Sequence, residues 1–121
     1  NELKLHLRKT LHRLINQEEI PAWDIVVLTP KNPRHSQLWK LGPLGNFTLT
    51  DTQTYTDYEV YCTTVHSFKG LESPVIILAE IDNEQVWNLH VILYVGCSRA
   101  RNHLVLLSLG NLSTKIASGL L

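Results

Sequence analysis

The sequence lacks several features that would place it in an easily recognised class of protein. Its 121 residues include no methionine and only two cysteines, and Lys plus Arg equal Asp plus Glu at 11 each. Cys62 and Cys97 are far apart and form no Cys-x-x-Cys or Cys/His pattern. This excludes a zinc site of ordinary spacing and a small secreted fold held by disulfides. We therefore expect a reduced, cytoplasmic protein.

The chain also lacks a long apolar run and an excess of positive charge. No stretch approaches the roughly 18 apolar residues of a membrane span, and the N-terminus is charged where a signal peptide would be apolar. Balanced charge gives no overall attraction to nucleic acid, so any contact with DNA has to come from local geometry. A chain of this length forms one domain, and its start at Asn1 without methionine predicts a piece of a longer protein.

A third absence is the phosphate-binding loop of the G-x-x-x-x-G-K-[ST] type. Gly42 and Gly45 are followed by Asn46, and Lys69 precedes its glycine. Without that loop, its lysine and a Mg²⁺-binding acid, the chain cannot hold and hydrolyse a nucleoside triphosphate alone. A triphosphate site in this chain would need a second domain to supply the missing half.

The apolar pattern that is present predicts alternating helices and strands. Leucines at helical spacing predict an amphipathic helix over residues 2–17, which Pro21 ends. Apolar runs predict strands buried on both faces at 24–30, 75–81 and 103–109. Weaker signals predict strands within 47–65 and helices at 36–41, 87–100 and 112–121. We expect an α/β fold with a mostly parallel sheet, in which ligands bind beyond the carboxyl ends of the strands.

One polar segment between predicted strands carries candidate chemistry. His66, Ser67, Lys69 and Glu72 fall in what we predict to be a turn at the carboxyl end of a strand. Gly70 among them lets the backbone approach a ligand closely. Adjacent residues such as His66 and Ser67 point apart, and no acid is placed to orient the imidazole, so a hydrolase triad is not expected. An alternative for Lys69 and Glu72 is a surface ion pair of little energetic value.

A second candidate segment is 98-SRAR-101. The planar guanidinium of Arg99, with Arg101 as the second candidate, suits a phosphoryl group that gains charge during transfer. The alternative is that both arginines end a helix and interact only with its dipole. Among the aromatic residues, we expect Trp23 and Trp87 in the core and leave Trp39 open between core and base stacking.

Together the two segments resemble a known family. TVHSFKGLE at 64–72 resembles motif V of superfamily 1 helicases of the UvrD/Rep type, and LYVGCSRAR at 93–101 resembles their motif VI, in the same order. The resemblance implies a C-terminal RecA-like motor domain covering 1–121. Such a domain has a three-layer P-loop NTPase fold without a P-loop of its own. The interval from Pro30 to Val60 is too short for the large 2B insertion of UvrD-type enzymes.

The resemblance implies a role for each matching position. Arg99 is similar to the arginine finger that reaches the γ-phosphate of ATP, with Arg101 close to it in sequence. Glu72 is similar to the glutamate near the nucleotide ribose, and Gly70 lines the same site. Matches to positions along the single-stranded DNA track are found at His66, Ser67 and Lys69.

The implied function is that of the C-terminal motor domain of an ATP-dependent DNA helicase. ATP and Mg²⁺ would be bound mainly by the N-terminal RecA-like domain of the same protein, and single-stranded DNA would be the other partner. We expect the chain alone to be inactive, since Walker A and B motifs are absent, and we expect no metal site in it. Two alternatives stay open: a RecD-like superfamily 1 helicase domain, and a catalytically degenerate helicase-like module that binds nucleic acid or a partner protein.

Overall fold

The computed structural model describes residues 2–68, 73–81, 100–108 and 114–117. The first helix, α1, spans Glu2–His12 and continues as a π-helical turn over Arg13–Gln17. Its buried residues share one face because they recur at intervals of three and four. These buried residues are Leu3, Leu7, Leu11 and Leu14. Amphipathic spacing thus predicts the helix correctly.

The end of this helix differs from a regular α-helix. The Glu18 N–H donates to the Arg13 carbonyl at 3.0 Å, which is the i→i+5 pattern of a π-turn. The Ile20 N–H then donates to the Leu14 carbonyl at 3.0 Å, and Glu19 takes a positive φ of 59°. The chain therefore leaves the helix before it reaches Pro21.

A six-stranded sheet forms the centre of the fold. In chain order its strands are β1 (Ile25–Thr29), β2 (Thr48–Thr50), β3 (Glu59–Thr64), β4 (Ser73–Ile81), β5 (Ala100–Ser108) and β6 (Thr114–Ala117). Their spatial order is β2-β3-β1-β4-β5-β6. Neighbouring strands from β2 to β5 pair in parallel, and only β6 pairs antiparallel, with β5. The predicted α/β fold with a mostly parallel sheet is confirmed.

The central strands are buried on both faces, as parallel strands with covered faces require. All five residues of β1 are buried. One face of the sheet, which includes Ile25, Val27 and Ile77, packs against α1 in a single apolar cluster. The opposite face presents Val26 and Ile76, which are equally buried. Burial of both faces explains why continuous apolar runs predicted these strands.

Two helices predicted in the second half of the chain have different outcomes. The predicted helix at 87–100 lies outside the described residues except at its end, where Ala100 already starts β5. The predicted helix at 112–121 is wrong where it is described, because Thr114–Ala117 form β6. β-branched Thr114 and Ile116 suit a strand, and β5 offers them a partner edge.

Two of the described connecting segments contain short 3₁₀ turns. Residues 38–40 form a 3₁₀ turn where a helix over 36–41 was predicted, and Ala22–Asp24 form another before β1. In the part of the chain that the structure describes, no helix has the length and apolar character needed to cross a membrane.

Candidate functional site

The carboxyl ends of the parallel strands meet at one edge of the sheet, where ligands bind in folds of this class. At this edge, which we call the carboxyl edge, β1 ends at Thr29 and β3 ends at Thr64. The Val65 N–H donates to the Thr29 carbonyl at 2.9 Å, so the chain leaving β3 stays attached to the end of β1. The backbone at this edge is therefore held in place by a hydrogen bond at the residue that directly precedes the polar pair His66 and Ser67.

The turn that follows β3 exposes two of the predicted site residues. The Ser67 N–H donates to the Thr64 hydroxyl at 3.0 Å, and that hydroxyl donates to the Ser67 hydroxyl at 3.0 Å. The Phe68 N–H donates to the Thr64 carbonyl at 3.1 Å. Val65 and Phe68 are buried while His66 and Ser67 are exposed. The apolar residues anchor the turn, and its hydrogen bonds hold the His-Ser pair at the carboxyl edge.

Of the other predicted site residues, only Arg101 lies in a described segment. Lys69, Gly70, Glu72 and Arg99 lie outside the described residues, so their predicted roles stay predictions. Arg101 is the second residue of β5, rather than part of a helix end. Its backbone is thus placed near the amino end of a strand.

The predicted turn at the carboxyl edge does not lead directly into β4. β3 and β4 both run parallel to β1, so β3 ends at the carboxyl edge and β4 begins at the opposite, amino edge. Ser73 at that end pairs with Ala100. These two residues directly follow the motif V-like Glu72 and the motif VI-like Arg99 in sequence. The residue that follows the first motif segment is therefore paired with a residue of the second.

A buried carboxylate near the carboxyl end of β4 has no counterpart among the predicted site residues. Glu80 is 1% exposed. Its Oε1 accepts a short hydrogen bond from the Ser36 hydroxyl, and its Oε2 accepts one from the Gln37 N–H at 2.9 Å. The Ser36 hydroxyl in turn accepts from the Leu38 N–H at 3.1 Å. These contacts attach the loop that follows β1 to the end of β4.

The backbone at Glu80 explains how its side chain reaches this loop. The register between β4 and β5 shifts between Leu78 and Ile81, and Glu80 has a φ of 61°. A bulge of this kind re-aims a side chain out of the regular alternation of a strand. A non-glycine residue in this region of φ costs about 1–3 kcal/mol. The hydrogen bonds to Ser36 and Gln37 offset that cost.

Cys62 on β3 lies near this carboxylate. Burial, followed by the charges of Glu80 and Asp51, raises the pKa of the Cys62 thiol from 9.0 to about 12. The thiol is therefore neutral at physiological pH and unsuited to act as a nucleophile or a metal ligand. Among the described residues, no group of three or more His, Cys, Asp or Glu side chains could hold a metal ion.

Sequence reasoning missed Glu80, although one signal was present. The residue is the only charged one in the apolar run 75-VIILAEI-81. A charge in a strand that is otherwise buried on both faces needs hydrogen-bond partners inside the fold. Nothing in the sequence around Ser36, 44 residues away, identifies it as that partner.

The parallel sheet, with its polar carboxyl edge, defines an α/β domain consistent with a RecA-like fold. Residues 59–107 match the family model of the UvrD-like helicase C-terminal domain, and this range runs from β3 almost to the end of β5. The match supports a UvrD-type helicase C-terminal domain in this part of the chain. No curated protein and no solved structure matches the chain.

Proposed function

We propose that this domain is the C-terminal motor domain of an ATP-dependent DNA helicase. The observation that carries the proposal is the family match, which covers β3, β4 and most of β5 and includes both segments 64–72 and 93–101. A parallel sheet whose polar loops follow the carboxyl ends of its strands supports the same function. The domain would act together with a second domain that carries the P-loop.

ATP is the proposed substrate, and this chain supplies only part of its site. Arg99 is the residue that would meet the γ-phosphate, since its planar fork can donate two hydrogen bonds to phosphate oxygens as charge develops. Glu72 and Gly70 would contact the nucleoside part, and Arg101 would add positive charge. Mg²⁺ would neutralise phosphate charge while bound by the P-loop domain. No described group of acids in this chain fits that ion.

Single-stranded DNA is the proposed second ligand, at the carboxyl edge. The exposed His66 and Ser67 offer an imidazole and a hydroxyl for phosphate or sugar contacts, and Lys69 would add a charge. The turn bearing the His-Ser pair is fixed to β1 and β3 by hydrogen bonds, so it moves with the sheet as one body. Opening and closing of the cleft between the two motor domains would then move this contact along the strand.

The test is ATP hydrolysis, with single-stranded DNA present, by the protein that joins this chain to its P-loop domain. We expect Arg99→Ala to lower kcat by on the order of 10³-fold, because the residue acts only on the transition state. Arg99→Lys should recover only a minor part of the rate, since a lysine keeps the charge and loses the planar fork. Glu72→Ala should affect KM more than kcat.

Two results would favour another function. Hydrolysis at the wild-type rate by Arg99→Ala would make the motif VI-like segment structural and favour the degenerate binding module. Normal hydrolysis coupled to translocation along DNA in the direction opposite to that of UvrD/Rep-type helicases would favour the RecD-like alternative.

A further inference from the structure

A small aromatic cleft opens near the amino ends of β1 and β4. Its volume is about 180 Å³. Pockets for drug-sized molecules are larger, at roughly 300–1,000 Å³, so this cleft suits a single side chain or functional group. Its walls contain four aromatic residues, one carboxylate and one carboxamide: Trp23, Tyr55, Tyr61, Phe68, Asp24 and Gln53. We call it the aromatic cleft.

The carboxylate in this cleft is open to a ligand. Ser73 donates its hydroxyl to the Asp24 backbone carbonyl at 2.8 Å, which ties the two strand starts together without involving the carboxylate. Among the described residues, the Asp24 side chain forms no hydrogen bond or ion pair, and it is partly exposed. Trp23 was expected in the core, yet it is also partly exposed at this cleft.

The sequence around the lining residues Gln53, Tyr55 and Tyr61 is acidic. No lysine or arginine occurs between residues 41 and 68, whereas Asp51, Asp57 and Glu59 do. Among the described residues that line the cleft, only Asp24 is charged. An acidic surface repels phosphate groups and attracts cations. A nucleic-acid strand is therefore the less favoured occupant of this cleft.

Aromatic side chains also extend outward from the cleft. Tyr55 is 77% exposed, and nearby in sequence Tyr58 is 58% exposed. Aromatic faces attract cations through their quadrupole, and they attract guanidinium groups more often than ammonium groups. A carboxylate beside aromatic faces can bind a cationic side chain through an ion pair and a cation–π contact together.

We propose that the aromatic cleft binds an arginine or lysine side chain from a basic segment of a partner protein. The cation would pair with the Asp24 carboxylate and stack against Tyr55 and Trp23. The cleft lies at the start of β1 and β4, away from His66 and Ser67 at the carboxyl edge. The proposed ligand is a protein side chain and its test needs no ATP hydrolysis, so the proposal does not depend on the motor function.

Binding of a labelled short peptide containing arginines spaced by glycine and serine tests this proposal. Fluorescence anisotropy at physiological ionic strength would give the Kd, and a peptide with glutamate in place of each arginine is the ligand control. We expect at least about tenfold weaker binding of the glutamate peptide. Asp24→Asn, which removes the charge and keeps the shape, should weaken arginine-peptide binding about fivefold, and Tyr55→Ala should do the same.

Matched variants separate the cleft from general surface charge. Asp57→Asn removes an exposed acid outside the lining, and Tyr58→Ala removes an exposed aromatic outside it. Both should leave the Kd within about twofold. Equal effects of Asp57→Asn and Asp24→Asn would reduce the interaction to general charge and overturn the proposal. Absence of peptide binding, or tighter binding of a short thymidine oligonucleotide that Tyr55→Ala abolishes, would also overturn it.

Discussion

The carboxyl edge and the aromatic cleft show two different uses of polar groups in one sheet. At the carboxyl edge, Glu80 is 1% exposed and both of its oxygens accept hydrogen bonds from the loop that follows β1. In the aromatic cleft, the Asp24 carboxylate is partly exposed and has no such partner in the described part of the chain. The first arrangement holds a loop in place, while the second leaves a charge available to a ligand.

Glu80 and Asp24 carry the same carboxylate group, so the difference in their roles comes from burial and from hydrogen-bond partners. A buried acid whose acceptors are satisfied contributes to the fold, because leaving those donors unpaired would cost free energy. An accessible acid beside aromatic rings gains by pairing with an incoming cation. Substitutions at Glu80, Cys62 and His66 test how burial and exposure set the roles of polar groups, and the expected effects decrease in that order.

The largest effect on stability is expected for Glu80→Ala. The variant leaves the Ser36 hydroxyl and the Gln37 N–H without their acceptor. We expect the free energy of unfolding to fall by about 2–3 kcal/mol, the penalty for unpaired buried donors. Urea unfolding followed by circular dichroism would measure it. Glu18→Ala is the control, since that acid forms only an exposed ion pair with Arg13 at 3.6 Å, and it should cost less than about 0.5 kcal/mol.

An equal loss of stability in Glu80→Ala and Glu18→Ala would contradict the anchoring role of Glu80.

Ser36→Ala gives an intermediate case. It removes one donor to Glu80 and one acceptor of the Leu38 N–H while leaving the bond from Gln37 in place. Its loss should therefore be smaller than that of Glu80→Ala.

The second largest effect is a loss of folding stability at alkaline pH that comes from the Cys62 thiol. Its pKa rises from 9.0 to about 12 on folding, so between these values the native thiol keeps a proton that the unfolded chain releases. Stability from this residue is intact below pH 9 and falls as pH rises towards 12. Each pH unit in that window costs about 1.4 kcal/mol. Urea titrations at pH 8 and pH 10 would measure the change.

Cys62→Ala isolates this contribution, because every other titrating group is common to both proteins. We expect the wild type to lose about 1.4 kcal/mol more than the variant between pH 8 and pH 10. Parallel losses in the two proteins would show that the thiol titrates normally and is not buried beside Glu80.

The smallest effect is expected at the exposed turn. His66→Ala removes a side chain that has no packing role, so the free energy of unfolding should change by less than about 0.5 kcal/mol. Affinity for a single-stranded oligonucleotide should fall about threefold, as for the loss of one backbone contact. Fluorescence anisotropy would measure it, with His6→Ala on α1 as the control. Unchanged affinity for His66→Ala would remove this turn from the proposed DNA contact.

The sequence predicts those parts of the fold in which local pattern and burial agree. The run 24–30 became β1 and the run 75–81 lies within β4, since both are apolar on both faces. Parallel pairing of β2 with β3 could not be derived, because short Thr-rich strands carry no signal for their direction. Strand β6 depends on the partner edge that β5 provides, which no local pattern reveals.

The site is predictable to a smaller extent. The pattern of residues 64–72 lies within the range that matches the family model, and the His-Ser pair is exposed at the predicted edge. The network of Glu80 with Ser36 joins residues 44 positions apart, and the aromatic cleft gathers residues from before β1, from β3 and from the start of β4. Such groupings follow from strand order, which the sequence alone left undetermined.

The most direct test of the motor-domain proposal is the DNA-stimulated ATP turnover of Arg99→Ala, measured beside Asp57→Asn in the protein that includes the P-loop domain. The account predicts a loss on the order of 10³-fold in kcat for Arg99→Ala. Asp57→Asn, an exposed change away from the proposed contacts, should retain the wild-type rate. Wild-type turnover by Arg99→Ala, with DNA stimulation intact, would contradict the central claim.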